Sequence, residues 1–109
     1  MKMLKIFLAA AICISTVAAH AQKTRSESFK VAGECGTCKK KIEKAAKGAG
    51  ASYASWDADT QLLAVSYNTG ETNTLQIEKA VAASGYDTKD IKASKKAFKK
   101  LDACCRYRK

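Results

Sequence analysis

The run Gly33-Glu34-Cys35-Gly36-Thr37-Cys38 places two thiols with two residues between them. It follows a strand-like stretch, Ser28-Phe29-Lys30-Val31, and precedes a lysine-rich helical one that begins at Lys39. A strand-loop-helix junction puts both sulfurs at a helix N-terminus, where free N–H groups and the helix dipole favour thiolate. Thiolate binds soft metals and attacks disulfides. Cu(I) and Hg(II) accept two sulfurs, whereas a structural Zn(II) site wants four ligands. The pair is expected to be exposed and unbridged, with Lys39, Lys40 and Lys41 lowering the thiol pKa. A structural disulfide and redox catalysis are the competing readings of the same pair.

Two more thiols, Cys104 and Cys105, stand near the end of the chain. Adjacent cysteines bridge each other only with strain. Pairings among Cys35, Cys38, Cys104 and Cys105 stay open. The tail either completes a larger sulfur site with the first pair or ties itself to the core by a disulfide. If it reaches the loop, Zn(II) becomes as plausible as Cu(I). No paired-carboxylate or histidine arrangement suggests hydrolytic chemistry, so an enzyme is not expected.

The N-terminus reads as a targeting signal. Lys2 and Lys5 precede an apolar run, Ile6 to Val17, and Ala19-His20-Ala21 fits a cleavage site. Cleavage is expected after Ala21, giving a periplasmic or secreted protein with no stable membrane insertion. Cys13, His20, Met1 and Met3 leave with the signal, so the mature chain holds no His and no Met. Of the chain's 20 basic residues Lys2 and Lys5 go too, which leaves 18 against 10 acids. Much of that charge falls on helix faces, where it is solvated or docks an acidic protein partner. An exported chain without an aromatic-rich RNA-binding segment argues against nucleic acid.

The elements that must hold the thiols follow from periodicity. Cys38, Ile42, Ala45, Ala46 and Ala49 form the stripe of an amphipathic helix over about 37–47, stopped at Gly48 and Gly50. Ala51 to Asp57 alternates, Asp57-Ala58-Asp59-Thr60 is a turn, and Gln61 to Tyr67 is a strand. A second helix is expected over 74–84 with Thr74 as N-cap, then an edge strand from Tyr86 to Ile91. The order is βαββαβ. It predicts an α+β, ferredoxin-like sandwich: a four-stranded antiparallel sheet with two helices on one face. A short helical tail follows over 93–109. The domain boundaries are 1–21, 22–92 and 93–109.

The Cys-x-x-Cys loop, its flanking strand and helix, Gly50, the Asp57 turn and Gly85-Tyr86 together resemble the heavy-metal-associated domain family. That family includes soluble copper chaperones, modules of metal-exporting P-type ATPases and periplasmic mercury-binding proteins. The resemblance covers about residues 26–92. It implies metal ligation by Cys35 and Cys38, with Tyr86 where the family often has an aromatic or Lys near the metal loop. It implies binding of a heavy-metal ion, Cu(I) first and Zn(II) or Hg(II) next, for transport, buffering or transfer. The implied partner is a metal-transporting ATPase or another metalloprotein. One departure stands out. The family usually has Gly-Met-x-Cys here, with the Met buried under the loop; this chain has Ala32-Gly33-Glu34-Cys35. The alternative function is a thiol-disulfide oxidoreductase, against which the absence of any proline counts.

Overall fold

The computed structural model describes residues 23–108. The expected signal segment, with Cys13 and the cleavage site, lies outside them. Among the described residues, three strands form one antiparallel sheet in the order β1-β3-β2. They are β1 (Thr24–Lys30), β2 (Ala51–Asp57) and β3 (Leu62–Asn68). Register places Phe29, Leu63 and Trp56 side by side across the sheet, and all three are buried. Alternation along each strand thus sends one set of side chains to the core.

Helix α1 (Gly36–Gly48) buries Cys38, Ile42 and Ala46, spaced at four residues. Those positions share one helical face, which packs on β2 and on helix α2 (Thr74–Ala83). Gly50 ends the helix with φ of 110°, a left-handed conformation that costs glycine least. The second helix is capped by Asn73, whose side chain accepts from the Gln76 amide. The cap thus lies one residue before the expected Thr74. Thr74 instead bonds the Tyr67 hydroxyl at 2.8 Å.

The fourth strand is reduced to one bridge, Val31 with Thr88. The expected edge strand over 86–91 folds on itself instead. Thr88 donates its amide to the Ile91 carbonyl at 2.7 Å. The buried Glu78 carboxylate accepts from Thr88 Oγ1 and from the Asp90 amide at 2.8 and 2.9 Å. Polar turn formers satisfied locally have no need of a ladder. The architecture is still that of the ferredoxin-like α+β sandwich. Helix α3 (Lys95–Lys99), shorter than expected, and a 3₁₀ turn at Ala103–Cys105 bring the chain back to the thiol loop.

Candidate metal centre

Cys35 is the N-cap residue of α1, in extended backbone, and Cys38 occupies its first turn. The tail delivers Cys105 to the same spot. The sulfurs of Cys35, Cys38 and Cys105 all lie within 4.8 Å of one another. Cys35 Sγ is 3.6 Å from Cys38 Sγ and 3.9 Å from Cys105 Sγ. Cys38 and Cys105 form a disulfide, with their Cα atoms 5.7 Å apart. Cys35 and Cys104 are free thiols.

This corrects the expectation of an unbridged, solvent-open Cys35–Cys38 pair. Cys38 is fully buried and joined to Cys105. The apolar stripe explains it: Cys38 begins the buried face of α1, while Cys35, three residues earlier and outside the helix, keeps partial exposure. Of the tail pair, only Cys105 enters the cluster. Cys104 stays exposed, its Sγ 4.0 Å from that of Cys105.

The Cys35 thiol is held below its usual range, first by the backbone amide of Cys38, with the Thr37 amide adding to it against partial burial. Two of the three lysines expected to do this are engaged elsewhere. Lys39 pairs with Glu43 and donates to the Trp56 carbonyl, and Lys41 pairs with Asp102 at 3.2 Å. Cys104 is shifted the opposite way, first by its hydrogen bond with Cys35. The site's proton therefore rests on Cys104 before Cys35.

The loop is anchored by residues that sequence reasoning did not single out as site residues. Trp56 Nε1 donates to the Val31 carbonyl at 2.9 Å. Gln61, itself at φ of 60°, donates from its side-chain amide to the Gly33 carbonyl at 2.7 Å. A Cβ on Gly33 would meet the Trp56 ring at 2.9 Å and Ile42 Cδ1 at 3.2 Å. The indole thus packs directly against the loop at Gly33.

The tail is fastened just beyond the site. Tyr107 donates its hydroxyl to the Gly85 carbonyl and accepts from the Asp87 amide, both at 2.8 Å. Arg108 donates to Asp87 Oδ1 at 2.6 Å and sits over the Phe98 ring at 4.9 Å. Burial alone would raise the Asp87 carboxyl, but the Arg108 bond and the Ala93 amide outweigh it and hold it low. Tyr86 is fully buried, and its hydroxyl has no hydrogen-bond partner. Burial first, then the charge of Cys35, pushes its pKa up to about 12.

No protein-family model matches the sequence, and no curated protein matches it closely. Solved structures do. A CopZ metallochaperone is 27% identical over 59% of this chain and 98% of its own, with a TM-score of 0.56. Oxidised MerP from Ralstonia metallidurans CH34 is 25% identical over 61% of this chain and 94% of its own, at 0.57. The water-soluble region of the P-type ATPase CopA from Bacillus subtilis is 27% identical over 62% of this chain, at 0.57, and the match spans 46% of that region. The fold is that of the heavy-metal-associated domains.

Proposed function

We propose that the chain, once its disulfide is reduced, binds a soft heavy-metal ion through Cys35, Cys38 and Cys105. The carrying observation is the convergence of three sulfurs within 4.8 Å. Three thiolates at that spacing suit Cu(I) or Hg(II) better than Zn(II), which would need a fourth ligand. Cu(I) is favoured by a similar structure solved in its Cu(I)-loaded state, the N-terminal domain of a potential copper-translocating P-type ATPase from Bacillus subtilis. The orphaned Tyr86 hydroxyl fits the same reading: after burial, the charge of Cys35 does most to raise its pKa. It is a buried donor without an acceptor that feels the charge of Cys35, a sulfur that becomes anionic when it ligates.

The ion is cargo. Cys35 lies at the partly exposed rim and Cys38 and Cys105 lie inside, so an incoming thiol from a partner meets Cys35 first. Stepwise ligand exchange then passes the ion to or from a metal-transporting ATPase or another metalloprotein. We place this activity outside the cytoplasm, on the strength of the N-terminal signal pattern, in a domain spanning 22–92 with the tail as a ligand-bearing arm. No helix among the described residues is long and apolar enough to cross a membrane.

Titration of fully reduced protein with Cu(I) against a competing chelator tests the assignment. A single tightly held ion is expected, with Cys35→Ser/Cys38→Ser abolishing it and Cys105→Ser weakening it. Undiminished binding in the double variant would falsify the assignment. A second reading, thiol-disulfide exchange with other proteins, is favoured by the free Cys35 thiol beside a disulfide. Turnover of a disulfide substrate by wild-type protein and none by Cys35→Ser would establish it.

A further inference from the structure

The disulfide between Cys38 and Cys105 is sealed. Both residues are 0% exposed. Neither sulfur is open to a reductant in solution, so thiol-disulfide exchange at that bond needs either local opening or a thiol already inside the site. Yet the proposed ion site exists only when the bond is open. Two free thiols reach the disulfide from its solvent side. Cys35 Sγ lies 3.6 Å from Cys38 Sγ, and Cys104 Sγ lies 4.0 Å from Cys105 Sγ.

The two are not equivalent. Attack by Cys104 on Cys105 would join adjacent residues, a strained ring. Attack by Cys35 on Cys38 would join residues three apart across the start of a helix; Cys35 Sγ lies beside the bond, 3.6 Å from Cys38 Sγ and 3.9 Å from Cys105 Sγ, so the partly exposed side chain must turn to come into line behind Cys38. Its product also differs: the bond that tied the tail to the core is broken, and the new bond lies at the partly exposed rim.

We propose that Cys35 is the internal thiol through which this disulfide is opened, making the tail a redox-gated arm of the metal site. The gate rests on the metal-binding reading for its purpose, though not for its chemistry. In the first step Cys35 thiolate attacks Cys38 Sγ. The Cys35–Cys38 bond forms, the Cys38–Cys105 bond breaks, and Cys105 leaves with the electron pair and takes up the proton that Cys35 lost. No oxidant or reductant is consumed. In the second step a dithiol reductant attacks the rim sulfur of Cys35, and Cys38 leaves as thiolate. The reductant's second thiol then resolves the mixed disulfide. The dithiol becomes a disulfide, and Cys35, Cys38 and Cys105 are all thiols. The exchange converts a locked tail into a third ligand that can swing onto an ion or away from it.

Reduction kinetics of the full mature chain by dithiothreitol test the route, followed by acid quench, alkylation and peptide mapping. Cys35→Ser is expected to slow loss of the Cys38–Cys105 bond by about 10-fold or more, because the bond is then reached only by local opening. Cys104→Ser should keep the wild-type rate. In denaturant, wild type and Cys35→Ser should reduce alike. Partly reduced wild type should yield a Cys35–Cys38 pair with Cys105 alkylated, a measurement that does not depend on any variant folding. An unchanged rate in Cys35→Ser, slowing by Cys104→Ser instead, or direct passage to three thiols without the Cys35–Cys38 species would each overturn the proposal. Loss of Cu(I) binding in fully reduced wild type would sink the metal reading alone, since the exchange route is read without metal.

Discussion

The indole of Trp56 occupies the space that a side chain at position 33 would need: a Cβ on Gly33 would stand 2.9 Å from Trp56 Cζ2. Trp56 is held there by its bond to the Val31 carbonyl and by the Glu43 carboxylate on its amide, at 2.9 Å each. The ring cannot yield without breaking the first of these. Gly33→Ala should therefore destabilise by roughly 1–3 kcal/mol, the usual cost of overpacking a filled core. Urea unfolding followed by the fluorescence of the chain's one tryptophan measures it. Wild-type stability in that variant would mean that the loop is not seated on the ring.

Tyr86 carries a buried hydroxyl without a partner. Tyr86→Phe should stabilise the disulfide-bonded, metal-free protein by about 1 kcal/mol, because an unsatisfied buried donor is removed. The pKa of about 12 is raised, chiefly by burial. Stability from the neutral phenol is thus full below the unfolded value near about 10 and declines as pH climbs through the folded one. Phenylalanine should remove that alkaline loss. A destabilised Tyr86→Phe at neutral pH would contradict the account.

Asp87 and Arg108 clasp the tail at 2.6 Å. The Asp87 carboxyl is held below its usual range despite burial, by the Arg108 hydrogen bond and then the Ala93 amide. A depressed carboxyl contributes stability above its unfolded pKa of about 3.9, and that stability is lost as pH falls through the lower folded value. Tail docking should accordingly weaken below about pH 4. Asp87→Asn should flatten this acid limb, read as proteolytic release of the C-terminal segment against pH. An unaltered acid profile would count against the clasp.

Gly85 sits at φ of 110°, and a Cβ there would lie 2.8 Å from Leu101 Cδ2 and 2.9 Å from the Ala97 carbonyl. Gly85→Ala combines backbone strain with a clash against α3. It should cost about 1–3 kcal/mol and loosen the tail. Faster amide exchange over 95–107, with the sheet unaffected, is the expected signature. Uniform loss of protection across the whole chain would show that the tail is not a separable unit.

The fold was legible because its signals are local. The four-residue spacing of Cys38, Ile42 and Ala46 fixed one helical face, and the alternation through Leu63, Val65 and Tyr67 fixed a strand face. The thiol loop could be placed because a helix must start where that stripe starts. The final strand shrinks to the single Val31–Thr88 bridge because Asp87, Thr88 and Asp90 find their partners in Arg108, Ile91 and Glu78, contacts that no periodicity encodes.

Sequence alone determined the sandwich, the thiol loop at a helix N-terminus and the presence of a second cysteine pair. Only the tertiary structure decided which sulfurs meet. Cys104 and Cys105 are indistinguishable as letters, yet the 3₁₀ turn aims one into the core and the other at solvent. That choice depends on the tail's docking through Leu101, Tyr107 and Arg108 against Gly85, Tyr86 and Asp87. Long-range packing sets the direction of a side chain, and spacing along the chain carries no record of it.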